Sequence, residues 1–309
     1  MTQTIQHTDQ HSSDQISART ALVLGGGGSA GNAWLIGVVA GLVDAGIDVT
    51  QADLVVGTSA GATAAAQITG AAPAELLADI LGSASKQGTA AVRSSSERRP
   101  RTAPPTDHLQ RTSRIIAAAD DASDLRRRLG ALALEMNTGS DAGARWRATV
   151  AARLPNEHWP DRAMLITAVD AQTGDAVTFD RHSGVDLVDA VAASCASGFA
   201  YRIGEHSYID GGYRSNADNA DLAAGHARVL VLSPLGGRSR TPVEWGLHLA
   251  TQVDGLRAGG SRVETLFPDT ASLTAFGENM MDLSTRPPAA QAGENQGKVV
   301  AERLAKFWI

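Results

Sequence analysis

Ser59 lies at the centre of the pentapeptide Gly57-Thr58-Ser59-Ala60-Gly61, which has the form Gly-x-Ser-x-Gly. The apolar run before it predicts a short buried strand, and the small residues after it predict a helix. At such a turn the serine hydroxyl projects beyond the sheet edge, and Gly57 and Gly61 leave room for the tight backbone. Ser59 is therefore a candidate nucleophile, and an ordinary glycine-serine turn is the alternative.

A run of four glycines, Gly25-Gly26-Gly27-Gly28, precedes this pentapeptide in the chain. It follows a predicted buried strand over residues 21–24 and leads into a small, apolar stretch typical of a helix. Backbone N–H groups of a loop without side chains can converge on an anion. In acyl transfer that anion is the tetrahedral oxyanion, and one donor is worth about 10²–10³ in rate.

The same loop has a second interpretation. Gly26, Gly28 and Gly31 satisfy Gly-x-Gly-x-x-Gly after a strand, and Asp48 follows about twenty residues on, as in a dinucleotide-binding fingerprint. An oxidoreductase would fit that pattern. This hypothesis leaves the Ser59 turn unexplained, so it ranks second.

Asp210-Gly211-Gly212 is the third motif, and it follows a predicted hairpin. A carboxylate on a glycine turn beside a strand end can reach a serine at a neighbouring strand end. An unperturbed aspartate, with a pKa of about 3.9, is a feeble base near neutrality, and a dry site would raise that pKa. A plain Asp-Gly hairpin turn is the alternative.

In this order the three motifs resemble the patatin-like phospholipase family. The likeness covers roughly residues 20–235 in pieces, through Leu22 to Gly28, the Ser59 pentapeptide, the Asp210 turn and Arg214-Ser215-Asn216-Ala217-Asp218. It implies an α/β protein with a three-layer α/β/α fold and a mostly parallel central sheet. It also implies hydrolysis of fatty-acyl esters, phospholipids among them, through an acyl-enzyme without metal or cofactor.

The resemblance assigns roles by position. Ser59 becomes the nucleophile and Asp210 the base of a dyad without histidine. The remaining assignments are glycines: the oxyanion hole of Gly26, Gly27 and Gly28, the elbow of Gly57 and Gly61, and the Asp turn of Gly211 and Gly212. Two positions depart from the family pattern: Ala30 replaces a common arginine, and Ser197 to Ala200 contain no proline.

Two further hypotheses stay open. His226 follows Asp210 in the chain, so it fits the serine–acid–histidine order of α/β-hydrolases and could complete an ordinary triad. The missing arginine at Ala30 is compatible with a lipid-binding or regulatory protein that has kept the fold without turnover.

Length and composition indicate the domain organisation and the cellular location. The 309 residues suit one hydrolase domain over residues 20–309 after a polar tail over residues 1–19 without an apolar signal region. The single Cys195 and the lack of any apolar run of about 18–20 residues predict a cytoplasmic protein, with peripheral membrane contact left open. The net charge of −6 gives no indication of nucleic-acid binding, and the oligomeric state is not predicted.

Residues 82–160 interrupt the alternation of strands and helices that predicts the parallel sheet. Six arginines lie between residues 93 and 114, and the spacing of Leu125, Leu129, Leu132 and Met136 predicts a helix. This segment is either a lid that meets anionic head groups or a solvated insertion whose leucines pack on the core.

Overall fold

The computed structural model describes residues 19–90, 105–136 and 140–308. One mixed sheet runs through it in the order β5-β6-β3-β2-β1-β7-β8, with β4 paired to β3. Its strands are β1 (Thr20–Leu24), β2 (Leu54–Gly57), β3 (Ala163–Asp170), β4 (Ala176–Phe179), β5 (Tyr201–Ile203), β6 (His206–Asp210), β7 (Arg228–Leu232) and β8 (Arg262–Leu266).

The α-helices of the described chain are α1 (Gly28–Asp44), α2 (Ala60–Gly70), α3 (Pro73–Ala90), α4 (Pro105–Ala118), α5 (Ala122–Glu135), α6 (Ser140–Ala151), α7 (Leu187–Ser194), α8 (Leu249–Ala258), α9 (Thr270–Phe276) and α10 (Arg286–Trp308). None of these described helices combines the length and apolarity that crossing a membrane requires.

The sheet is covered on both faces, because successive side chains of a strand point to opposite sides. In β1, Leu22 and Leu24 belong to a core shared with α1, α2, α7 and α10. Ala21 and Val23 belong to a second core, shared with α8 and a short 3₁₀ helix. Strands β3, β2, β1, β7 and β8 run parallel, while β4 and β6 run antiparallel to β3. The predicted α/β fold with a mostly parallel sheet is confirmed.

Residues 82–160 supply helices as well as loops. The predicted leucine-spaced helix is confirmed as α5, and its buried Leu125 and Leu129 pack in one cluster with Val169 and Ile209 of the sheet. Residues 91–104 and 137–139, with several of the arginines, lie outside the described residues, as do residues 1–18 of the predicted polar tail. The lid therefore stays a prediction.

The C-terminal helix packs unusually close to α1. A Cβ placed on Gly41 of α1 would lie 2.2 Å from the carbonyl oxygen of Glu294, and one on Gly293 of α10 would lie 2.4 Å from that of Trp34. The two backbones therefore touch where side chains normally intervene. Trp34, fully buried, adds a hydrogen bond from Nε1 to Gln296 Oε1 at 3.0 Å. Since α1 starts at the glycine loop, this contact holds that loop in place.

We predict that Gly41→Ala destabilises the protein by about 1–3 kcal/mol, because the added methyl group forces the two helix backbones apart. The free energy of unfolding in urea is the measurement. The control is Gly255→Ala on α8, where an added Cβ meets nothing within 4 Å. That control should gain up to about 1 kcal/mol from helix propensity. Equal stability of the two variants would contradict the close packing.

Candidate active site

Ser59 occupies a strained position between β2 and α2. Its backbone has φ 53° and ψ −115°, one of two positive φ values at non-glycine residues of the described chain. The nucleophile turn (residues 57–61) needs its glycines: a Cβ on Gly61 would lie 1.9 Å from the Leu24 carbonyl oxygen, and one on Gly57 would lie 2.7 Å from Ala62 Cα. Strain of this kind concentrates at functional sites, where the surrounding structure holds it.

The pairing of β6 with the last residues of β3 brings Asp210 to this turn. Gly57, the last residue of β2, pairs with Ile166 of β3, and Asp210, the last residue of β6, pairs with Ala168. β3 continues beyond the end of β2, and β6 runs antiparallel along this extension, so it ends at Asp210 about two residues beyond the level of Gly57. Ser59 Oγ donates a hydrogen bond to Asp210 Oδ2 at 2.8 Å.

A buried amide joins the nucleophile turn to the aspartate turn (residues 210–212). Asn219 Nδ2 donates to Thr58 Oγ1 at 3.0 Å and to the Gly211 carbonyl oxygen at 3.0 Å. Thr58 Oγ1 also accepts from Thr167 Oγ1 of β3 at 2.9 Å. Asn219 is fully buried in a left-handed conformation, which asparagine tolerates better than most residues. No local feature of the sequence marks Asn219 as part of the site, because its role depends on contacts with residues far away in the chain.

Ser194 and Cys195, at the end of α7, hold the backbone of Ser59. The Ser59 N–H donates to Ser194 Oγ at 2.9 Å, and Cys195 Sγ donates to the Ser59 carbonyl oxygen at 3.1 Å. Burial, and then the negative charge of Asp210, raise the pKa of the Cys195 thiol to about 12. Cys195 is therefore a neutral donor near pH 7, and a thiolate does not compete with Ser59.

The electrostatics of Asp210 suit a base. Burial raises its pKa to about 6, while hydrogen bonds from the Gly212 N–H, at 2.8 Å, and from Ser59 act in the opposite direction. A base works best when its pKa lies near the working pH. The carboxylate is therefore ionised at pH 7 and still basic enough to accept a proton.

The glycine loop lies against the nucleophile, and its amides differ in availability. The Gly26 N–H donates to the Ala217 carbonyl oxygen at 2.8 Å, so this amide shapes the loop and is occupied. The N–H groups of Gly27 and Gly28 donate to no described residue, and the same holds for Ala60, whose amide begins α2. Ala60 was not among the residues predicted from the sequence, although the amide after a nucleophile commonly completes an oxyanion hole. The predicted oxyanion hole stays a prediction, and the amides available beside Ser59 in the described chain are those of Gly27, Gly28 and Ala60.

Ser59 lines a cavity of about 960 Å³. The turns of Ser59 and Asp210 and the glycine loop form one end of it. Its apolar walls come from α3, α4, α5 and the segment before α10, and include Leu76, Ile80, Ile116, Leu125, Leu129 and Met281. Four arginines also line it: Arg153, Arg238, Arg240 and Arg286. An apolar cavity with few converging polar groups is typical of a site for small organic ligands.

The alternatives from the sequence find little support in this geometry. His226 precedes β7, so it lies at the sheet edge opposite Ser59, and its Nδ1 is 3.1 Å from the Ala223 carbonyl oxygen. No histidine side chain that the structure describes lines the cavity. Asp48 precedes β2 and accepts from the Thr50 N–H, away from the glycine loop that a dinucleotide would need. Among the described residues, no group of three metal-ligating side chains is arranged around a common point.

We predict that Asp210→Asn stabilises the folded protein at high pH. The pKa of about 6 in the folded protein lies above the ordinary aspartate value of 3.8, because the carboxyl group is buried. The neutral form is therefore favoured by folding, and ionisation opposes folding by about 3 kcal/mol well above pH 6. The variant should unfold at a higher temperature than the native protein at pH 8, with the difference nearly gone at pH 4. Asp254→Asn, at an exposed position, is the control. A similar rise in its unfolding temperature at pH 8 would contradict the raised pKa of Asp210.

Comparison with known proteins gives three findings. A search of curated proteins finds no match. The solved structure of VipD from Legionella pneumophila is similar over 93% of this chain and 67% of that chain, at 14% sequence identity and a TM-score of 0.42. The family model "Patatin-like phospholipase" matches residues 22–223. Because this match spans well over half of the sequence, the chain belongs to the patatin-like phospholipase family.

Proposed function

We propose that the protein is a serine acyl-ester hydrolase in which Ser59 and Asp210 form the catalytic dyad. The observation that carries this proposal is the 2.8 Å hydrogen bond from Ser59 Oγ to Asp210 Oδ2, at the end of a cavity with apolar walls. Membership of a family of phospholipase-like proteins supports the same reaction class. A serine with an adjacent base is the usual arrangement for nucleophilic catalysis.

The first half of the reaction forms an acyl-enzyme. Asp210 takes the hydroxyl proton as Ser59 Oγ bonds to the ester carbonyl carbon, and the carbonyl electron pair moves to oxygen. The free amides of Gly27, Gly28 and Ala60 are the donors for this oxyanion. When the carbonyl re-forms, the bond to the alcohol breaks, and Asp210 returns its proton to the departing alkoxide.

The second half releases the fatty acid. Asp210 accepts a proton from water as the water oxygen bonds to the acyl carbon of the ester on Ser59. The same amides stabilise the second oxyanion, and Ser59 Oγ then leaves and recovers the proton from Asp210. Both half-reactions use one base, so neither needs a histidine, a metal or a cofactor.

The cavity supports a fatty-acyl substrate. Leucine and isoleucine side chains of α3, α4 and α5 form a wall that an acyl chain can contact. The dyad lies at the end of this space, where the ester carbonyl would sit. We therefore assign the substrate to esters of fatty acids, with glycerophospholipids as the class that family membership favours.

A lipid-like fluorophosphonate should add once to the native protein, and intact mass is the measurement. Ser59→Ala should give no adduct, because the nucleophile is gone. Asp210→Asn should be labelled about 10²–10⁴ times more slowly, because the base is gone. His226→Ala is the control and should keep the native rate.

An adduct on Ser59→Ala would place the nucleophile elsewhere. Loss of labelling in folded His226→Ala would replace the dyad by a triad. No adduct on the folded native protein would favour the alternative of a lipid-binding protein without turnover.

The labelling rate should also depend on pH in a defined way. Only ionised Asp210 accepts the proton, and its pKa is about 6. We therefore expect the rate to be level from about pH 7 to 8 and to fall about tenfold per pH unit well below pH 6. A profile that is flat down to pH 4 would exclude Asp210 as the base.

A further inference from the structure

Two arginines of the cavity have no acidic partner. Among the residues that the structure describes, neither Arg286 nor Arg153 forms an ion pair, although both line the cavity that holds the dyad. The cavity also contains the carboxylates of Asp79 and Asp210, and neither of them binds either guanidinium. Arg286 is partly buried. A cation held away from water without a counter-charge is costly, and an anionic ligand would remove that cost.

Arg286 is held in place by the helix that carries the glycine loop. Its Nη1 donates to the Ser29 carbonyl oxygen at 3.2 Å and to Asn32 Oδ1 at 3.0 Å. Its Nε and Nη2 donate to no described residue, so one edge of the guanidinium is available to a ligand. Arg286 begins α10 and Ser29 lies in the first turn of α1, so the positive ends of two helix dipoles meet here.

Buried amides connect this arginine to the nucleophile turn and to Arg153. Asn32 Nδ2 donates to Gln67 Oε1 at 2.9 Å, with a longer contact of 3.4 Å to the Ala60 carbonyl oxygen. Gln67 Nε2 in turn donates to the Arg153 carbonyl oxygen at 3.0 Å. Asn32 and Gln67 are both buried. The positions of the two arginines are thus coupled to each other and to the residue that follows the nucleophile.

The two guanidinium groups line the same cavity, and their charges interact. Burial lowers the pKa of Arg286, and the like charge of Arg153 lowers it further. The Arg153 guanidinium lies over the Trp146 ring, 5.7 Å from its centroid, and the Trp146 side chain also lines the cavity. Two like charges so placed repel each other, and an anion between them would be attracted by both.

We propose that Arg286 and Arg153 form a phosphate-binding subsite, which takes the phosphate of the acyl-ester substrate while its ester lies at Ser59. This inference rests on the proposed function and deepens it. The planar guanidinium donates two parallel hydrogen bonds to phosphate oxygens, and the free edge of Arg286 meets that need. The apolar walls remain for the acyl chain, so the phosphate and the chain occupy different parts of one cavity.

The test compares two substrates that differ only in the phosphate: monooleoylglycerol and lysophosphatidic acid with the same oleoyl chain. Both are presented at equal mole fraction in neutral detergent micelles. We expect Arg286→Gln and Arg153→Gln each to lower the ratio of kcat/KM, phosphate over neutral, by about tenfold or more, through KM. Arg286→Lys keeps the charge without the planar fork and should fall between Arg286→Gln and the native protein.

Lys306→Gln is the matched control, since it removes one positive charge from an exposed site on the same helix. It should leave the ratio unchanged. Thermal unfolding checks that each variant is folded. If Arg286→Gln does not fold, Arg153→Gln still tests the proposal, because the Arg153 side chain is exposed and its replacement should not disturb folding. An equal fall in kcat on both substrates would mean that Arg286 supports the glycine loop rather than binding phosphate, and it would overturn the proposal. An unchanged ratio of kcat/KM in both variants would overturn it as well.

A binding measurement separates this proposal from the proposed function. Glycerol phosphate is titrated by calorimetry into Ser59→Ala, which needs no turnover. We expect binding that is weakened about tenfold or more when Arg286→Gln or Arg153→Gln is added. Absence of binding to Ser59→Ala would overturn the subsite even if Ser59 is labelled. Binding that needs both arginines would support the subsite even if the native protein hydrolyses no ester.

Discussion

The direct hydrogen bond between Ser59 and Asp210 is the constraint on which the rest of the site depends. With no histidine between them, the two turns must bring Oγ and Oδ2 to 2.8 Å without an adaptable side chain to take up error. The antiparallel β6 ends at Asp210 about two residues beyond the level of Gly57, and Asn219 ties both turns together inside the core. The strained backbone of Ser59 persists because these contacts surround it.

The site also carries an electrostatic cost that the fold must offset. Burial raises the pKa of Asp210 to about 6, and burial raises that of Asp218, beneath the glycine loop, to about 7. Asp218 Oδ1 is buried without a hydrogen-bond partner among the residues that the structure describes. Two such carboxyl groups beside one loop reduce stability near neutrality, since their ionised forms are disfavoured in the folded chain. The cores on both faces of the sheet supply the compensating burial.

The glycine loop is supported from a distant part of the sequence. The contact between α1 and α10 is close enough to bring backbone against backbone, and Arg286 at the start of α10 bonds to the first turn of α1. Ala30, where the family resemblance leads one to expect an arginine, is fully buried. The positive charge beside this loop comes instead from α10. A chain lacking that helix would lose both the support and the charge.

The sequence by itself determined the turns: Gly57 and Gly61 around Ser59, the glycine run, and the strands that lead into them, because tight turns and buried strands leave local signals. It did not determine β8, where the charged Arg262 and Glu264 interrupt the apolar pattern. Nor did it determine the first half of α10, where Gly293 and Gly297 lower the helix propensity and packing against α1 stabilises the helix. Only the tertiary structure decided that the Gly26 N–H donates to Ala217 while the Ala60 N–H donates to no described residue, and that His226 lies far from Ser59. Those outcomes depend on strand register and helix packing between residues far apart in the chain, which local residue types do not specify.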